Sequence, residues 1–342
     1  MIWDAVIAGA SFGGLAAAQR LRGRVLLLDR SPLGAGQTSA CAAPVGIVRA
    51  MGAEAAVLQV HDALVLHTPR RETVWPLPEP FCTFDYAGFC QQAFARTVAV
   101  FRQSAVLRRH GRTVLTRDGA VAGRLLIDAT GWRAALASHA VRRRLRAFGI
   151  ETELATPFPP GLHFYFLPEV RDGYAWAFPC RETVRFGVLS YLGRTRLADG
   201  LTAFLARFGL RPGALHGGYL ASGLTSPVVD EVFVVGDAAG QCLPLTGEGI
   251  RTAVLAGWKA GQLLQEVLDG TSSLAAAARA YEAFTGAARG TFLALTWANA
   301  ALLLLPLRLT GAAAAMLSRP GPLAGFMRRY LGVFAGPPPA PR

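Results

Sequence analysis

Lysine is almost missing from this 342-residue chain: Lys259 is the only one, and the other 34 basic residues are arginines. Chemistry that needs a lysine nucleophile near the N-terminus is therefore excluded. Charge is also scarce, at 17% of residues against 52% hydrophobic, yet the net charge is +13. A greasy, basic chain points to acidic ligands or an anionic membrane surface rather than to a solvated scaffold. The arginines are dispersed, and the Arg142–Arg144 cluster reads as a solvated face, so no nucleic-acid partner is expected. The five cysteines (Cys41, Cys82, Cys90, Cys180, Cys242) form no CxxC pair. That excludes a disulfide framework and the usual zinc spacings, and it fits a reducing cytoplasm with no metal. The opening "MIWDAVIAGA" has no basic n-region and is read as structure rather than as a signal peptide.

What is present begins with "WDAVIAGASFGGLAAAQRLRGRVLLLDR", read as strand, glycine turn, alanine-rich helix and second strand. Gly9 and Gly14 match the first and third glycines of a dinucleotide fingerprint, and Ser11 replaces the second within Gly9-Ala10-Ser11-Phe12-Gly13-Gly14. The serine hydroxyl can donate to a phosphate oxygen at the helix start. Asp29, twenty residues after Gly9, ends the second strand where a carboxylate can accept both ribose hydroxyls, and Arg30 follows it.

A second segment, "VFVVGDAAGQCLPLTGEGIRTAVLAGWKAG", runs from a buried strand through Gly236 and Asp237 to Gly247-Glu248-Gly249-Ile250 at a helix start. It follows a loop rather than a strand, so it is not a second nucleotide fingerprint. Its free N–H groups and positive dipole end suit an anionic ring edge. Between the two lie "RLLIDATGW", with a small-residue turn over Ala129–Gly131, and a strand-rich region near residues 145–192. There "GYAWAFP" puts Tyr174, Trp176 and Phe178 on one face of a strand that ends at its proline, either as plain core or as a wall facing a ligand.

The glycine turn with its distal acid, "DATG", "YxWxFP" with Gly187 beyond it, and "GDAAGxxxPxTGEGI" together resemble the FAD-dependent geranylgeranyl reductase family. That family lies within the flavoprotein group that includes p-hydroxybenzoate hydroxylase and the flavin halogenases. The resemblance runs from residue 2 to about 285. It implies an α/β fold: a Rossmann-like FAD-binding domain (1–56, 84–132, 228–285) interleaved with an antiparallel-sheet substrate domain (57–83, 133–227). C-terminal helices (286–335) and a disordered tail (336–342) would complete it.

It also implies that Gly9, Ser11, Gly14 and Asp29 hold the ADP half of FAD, with Ala10, Phe12, Gly13, Arg30, Val106, Ala129 and Gly131 as further cofactor-binding positions. Gly236, Asp237 and Gly247 to Ile250 would hold the flavin half, and Tyr174, Trp176 and Phe178 would face a polyprenyl or other apolar substrate. Cys41 occupies the region where some family members carry a cysteine near the flavin, and a buried structural thiol is the other reading. The expected activity is alkene reduction, with NAD(P)H or a small electron carrier as donor, since no separate nicotinamide unit is visible. Hydroxylation of an aromatic substrate by a group A monooxygenase and a non-catalytic flavin or lipid carrier are the alternatives. Halogenation is disfavoured, because Lys259 lies after the flavin motif. None of the six histidines has a spacing that makes it the proton donor.

From Gly290 to Leu307 eighteen residues carry no charge, bounded by Arg289 and Arg308 and interrupted by Asn299 and Pro306. A buried or membrane-surface helix is expected there rather than a span; the protein is expected in the cytoplasm, and a membrane-surface helix would put it at the inner face of the membrane.

Overall fold

The computed structural model describes residues 2–138 and 145–335, so the Arg142–Arg144 cluster and the 336–342 tail lie outside the described residues. In chain order the first half comprises β1 (Ile2–Ala8), α1 (Phe12–Arg20), β2 (Val25–Asp29), β3 (Ala42–Pro44), α2 (Val45–Ala50), β4 (Val57–Thr68), β5 (Arg71–Phe84), α3 (Tyr86–Ala95), β6 (Val100–Gln103), β7 (Val106–His110), β8 (Thr113–Thr116) and β9 (Gly119–Asp128). The second half comprises β10 (Leu145–Ala155), β11 (Leu162–Tyr165), β12 (Gly173–Cys180), β13 (Thr183–Ser190), α4 (Leu197–Ala206), β14 (His216–Ser222), β15 (Val228–Val229), β16 (Val232–Val234), α5 (Ile250–Leu268), α6 (Leu274–Gly286), α7 (Arg289–Leu304), α8 (Leu307–Leu317) and α9 (Pro320–Leu331).

Two sheets organise these elements. The first has the order β15-β16-β9-β1-β2-β6, with β7 and β8 continuing antiparallel from β9. Its β16, β9, β1, β2 and β6 are parallel. Such strands are buried on both faces and read as unbroken apolar runs, as "VLLLD" of β2 does. The chain leaves β1 for β2 on one side and reaches β9 on the other, so the crevice beyond the C-terminal end of β1 is a switch point, where ligands of open α/β sheets bind. Helices α1, α5 and α3 cover one face of this sheet around a core that includes Leu15, Phe89, Val254 and Tyr281.

The second sheet has the order β14-β10-β13-β12-β11-β4-β5-β3 and is antiparallel except for the β11–β4 pair. Strand β3 belongs to it although residues 42–44 lie within the first dinucleotide-binding stretch. One face packs on α4, where Ala175 and Ala177 meet Phe186, Phe204 and Leu205. The other face carries Tyr174, Trp176 and Phe178. Strand β12 does not stop at Pro179 but runs to Cys180. Pro179 sits opposite Val184 near the hairpin end, and its carbonyl accepts the Thr83 hydroxyl at 2.7 Å, so the missing N–H breaks little of the ladder.

The C-terminal charge-free run is split. Helix α7 ends before Pro306, which caps α8. A stretch over Leu274–Leu304 is long and apolar enough to cross a membrane, and 22% of its most apolar window is buried in the protein. Within α7 the buried Phe292 and Leu295 pack with Leu243, Tyr330 and Phe334, while Leu293, Trp297 and Leu304 are exposed at 56%, 69% and 85%.

A cavity from the glycine turn to the aromatic wall

A single cavity of about 1480 Å³ runs between the two sheets. It is larger than the several hundred Å³ of an ordinary small-molecule pocket, leaving room for an extended dinucleotide and a second, apolar ligand. The predicted residues Gly9, Ala10, Ser11, Phe12, Gly13, Asp29, Arg30, Val106, Ala129 and Gly131 line one end. Asp237 and Gly236 line it further along with Gly247, Glu248, Gly249 and Ile250, and Tyr174, Trp176 and Phe178 form the wall of the other end.

Gly14 does not line the cavity. A Cβ there would stand 1.8 Å from the Gly9 carbonyl oxygen, so this glycine lets α1 pack against the turn rather than touching a ligand. The Asp29 carboxylate accepts from the Ala10 N–H at 2.8 Å and from the Ser31 N–H at 3.0 Å, which fixes the turn and holds the acid at the end of β2. The Ser11 hydroxyl accepts from Tyr86 at 3.0 Å, which leaves its own proton to donate into the cavity. Asp128 of "DATG" is fully buried and accepts from Thr130, Leu136 and Ala137. It shapes the Ala129–Gly131 turn, while burial pushes its carboxyl upward.

At the other end Gly249 caps α5 with no side chain covering the first-turn N–H groups, so a 19-residue helix aims its positive end at the cavity. Asp237 accepts from the Ala221 N–H at 2.9 Å. Glu248 accepts from Arg251 at 2.8 Å, both nearly buried. Arg251 in turn donates to the carbonyls of Tyr330, Leu331 and Val333, tying the end of α9 to the start of α5. Glu248 is thus an anchor of the C-terminal segment at the cavity edge.

Gly187 explains the aromatic wall. It stands opposite Trp176 in the β12–β13 ladder, and a Cβ there would lie 2.0 Å from the indole. Its absence lets the indole lie flat across β13 and donate to Glu151 of β10 at 2.6 Å. Tyr174 donates to the Thr246 carbonyl at 2.5 Å. Phe164 packs edge-on against Tyr174 and Phe178, with ring centroids 5.5 and 5.2 Å apart. From β12 only the small Ala175 and Ala177 join the core behind, so its three large rings serve the cavity face.

Cys41 requires correction. Its neighbours Ala40 and Ala42 line the cavity, but Cys41 itself does not. It is fully buried in the core with Phe84 and Cys90, and burial pushes its thiol far up, which removes a reactive thiolate. Several lining residues were not singled out from the sequence: Glu151, Phe81, Phe164, Phe166, and Ala301 and Leu302 of α7. The alternation in "HFYF" carried the signal for Phe164 and Phe166; the helical residues had none, since an apolar helix reads the same against core, lipid or cavity.

The parallel sheet, its fingerprint turn and the cavity shared with an antiparallel sheet make a two-sheet α/β fold that solved flavin-dependent proteins share. The comparisons bear out the resemblance drawn from the sequence. The chain is 33% identical over 117 residues to the digeranylgeranylglycerophospholipid reductase of Methanococcus aeolicus, covering 31% of this chain and 30% of the relative. It is 35% identical over 118 residues to that of Methanocaldococcus jannaschii, again 31% and 30%. The matched segment thus spans under a third of the length of these relatives. No protein-family model matches. Among solved structures, a geranylgeranyl bacteriochlorophyll reductase-like protein from Thermoplasma acidophilum superposes with a TM-score of 0.84 at 18% identity over 97% of both chains. The flavin-dependent brominase Bmp2 gives 0.75 at 16% identity over 98% and 95%, and Klebsiella pneumoniae HpxO, complexed with FAD and uric acid, gives 0.72 at 18% over 97% of both.

Proposed function

We infer that the protein is an FAD-dependent oxidoreductase that reduces carbon–carbon double bonds of a polyprenyl or similarly large apolar substrate. The observation that carries this reading is the continuity of the cavity, from a dinucleotide turn to a wall of aromatic rings. FAD fits the residues present. Gly9 to Gly13 and Ser11 would take the pyrophosphate, Asp29 the adenosine ribose, Asp237 the ribityl hydroxyls and the start of α5 the ring's anionic edge. When bound and reduced, a flavin supplies the hydride. The chain's own part is to orient the alkene against the rings, exclude water and stabilise positive charge on carbon, for which each desolvated aromatic face is worth about 1–2 kcal/mol.

The lipid would enter past α7 and α8, whose Trp297, Leu304, Leu309 and Met316 face outward while Ala301, Leu302 and Ala314 line the cavity. An exposed apolar face on the elements that close the cavity is suited to resting on a membrane. Replacing Trp297 and Leu304 by serine should weaken liposome binding; unchanged binding removes the membrane from the reading.

The deciding experiment uses protein with bound flavin, photoreduced without oxygen. Return of the oxidised spectrum on adding a geranylgeranyl lipid establishes an alkene reductase. An inert lipid, with air producing a transient whose decay responds to aromatic compounds, establishes a monooxygenase instead.

A further inference from the structure

We propose that Glu151 is the proton-transfer group of the cavity, giving a proton to the substrate carbon and recovering it from solvent through His216. The proposal rests on the alkene-reduction reading above. Glu151, Gly187 and Trp176 stand in register across β10, β13 and β12, so the glutamate and the indole meet over a residue with no side chain. Glu151 lines the cavity beside the rings. Its side chain is 4% exposed, and that of its ladder partner His216 is 30% exposed. One carboxyl oxygen accepts the Trp176 N–H. The other lies 3.1 Å from His216 Nε2 and makes no aligned hydrogen bond. The pair forms a two-step path from the cavity wall to water.

The surrounding charges leave Glu151 without a cation of its own. Arg185 of β13 is engaged by Glu153, at 2.9 Å, and by the carbonyls of Ala40 and Phe84. Glu153 is held low, although partial burial works against this, by the Thr183 hydroxyl and Arg185. The thiols of Cys41 and Cys180 nearby are pushed up by burial and stay neutral. His216 is pushed down by burial and by Arg185. Burial outweighs Arg185 and the indole at Glu151, pushing its carboxyl up to about 7. A general acid is most effective with such a value near the working pH. In the transfer, the Glu151 O–H bond breaks and a C–H bond forms at one alkene carbon. The other carbon would take the hydride that a bound, reduced flavin supplies, which balances the reduction of the alkene against oxidation of the flavin, and solvent reprotonates the carboxylate through His216.

Two measurements test this. Difference infrared spectroscopy of the ligand-free protein across about pH 5 to 9 should show a protonated-carboxyl band lost near neutrality in the wild type and absent in Glu151→Gln, which keeps an acceptor for Trp176. A spectrum in which Glu151→Gln removes no titrating band overturns the proposal. In the anaerobic lipid assay, Glu151→Gln with equal flavin content should reoxidise about 100-fold or more slowly, and Glu151→Asp should recover part of the rate. His216→Gln should leave the first turnover intact and slow later ones; unaltered later turnovers overturn the route through His216. A wild type that reacts and a Glu151→Gln that reacts as fast overturn the donor role alone. A wild type inert toward the lipid overturns the reductase reading, and the donor role with it.

Discussion

Alanine at position 187 would put a methyl group 2.0 Å from one indole carbon of Trp176 and 2.3 Å from another. No small adjustment relieves such an overlap, because the indole is held between the rings of Tyr174 and Phe178, with centroids 6.2 and 6.4 Å away. The indole must turn into the cavity and give up its 2.6 Å bond to Glu151. Overpacking of this kind costs about 1–3 kcal/mol, and a buried hydrogen bond to an acid about 1.5–3 kcal/mol more. Gly187→Ala should therefore lose about 2.5–6 kcal/mol, read as a fall in the urea midpoint at unchanged slope. The origin of the loss is testable with Trp176→Phe, whose smaller ring clears the new methyl. The double variant should be more stable than the sum of the single effects by at least about 1 kcal/mol. Strict additivity, or a Gly187→Ala protein as stable as the wild type, would refute the account of the wall.

Further outcomes follow from the same geometry. Ser11→Ala and Asp29→Ala should each weaken flavin retention, measured by equilibrium dialysis; Ser11→Ala should cost no more than about 1 kcal/mol of stability, and Asp29→Ala about 1–3 kcal/mol, because it removes the acceptor of the Ala10 and Ser31 N–H groups. Arg251→Met leaves Glu248 buried without its cation and frees three carbonyls of the C-terminal segment; a loss of about 3–5 kcal/mol and new protease cleavage beyond residue 319 are expected. His61 is held neutral between the Gly161 N–H at Nδ1 and the Pro179 carbonyl at Nε2, and burial pushes it down to about 4. The folded protein then binds fewer protons than the unfolded chain between about pH 4 and 6.5. Its contribution, about 3 kcal/mol for His61, is complete above pH 6.5 and disappears as pH falls to 4, and His61→Gln should flatten that acid limb. Glu151 slopes the other way, its contribution fading as pH rises from 4.5 to 7.

The parallel half of the fold was legible because its signals are local. A glycine turn between an apolar strand and an alanine helix has few other uses, and Asp29 and the start of α5 fall where spacing puts them. The aromatic strand was legible as a face but not as a destination, since Tyr174, Trp176 and Phe178 alternate in the same way whether the rings meet core or cavity. Glu151 was not legible. Its position is set by ladder register across β10, β12, β13 and β14, which brings residues 151, 176, 187 and 216 together from four segments, and no short-range pattern encodes that pairing. Cys41 was misplaced for the related reason that Ala40, Cys41 and Ala42 read alike, and only the fold shows which of the three turns inward.

The C-terminal helices show how one sequence property serves two surfaces. Composition alone presents residues 290–307 as one uncharged, mostly apolar run. The fold divides them: Phe292, Leu295 and Asn299 are buried, Ala298, Ala301 and Leu302 line the cavity, and Leu293, Trp297 and Leu304 face outward. A helix apolar all round is ordinarily buried or in lipid, and α7 is only partly buried. Its outer face carries Leu293, Trp297 and Leu304, and the same helix lends Ala298, Ala301 and Leu302 to the cavity wall. A lipid held against Trp297 and Leu304 would need to pass only the small side chains Ala298 and Ala301 to reach the cavity. Enlarging those two alanines to leucine should therefore slow reoxidation by long prenyl lipids more than by short ones, with flavin binding unaffected. Equal slowing for both lengths would place the entrance elsewhere.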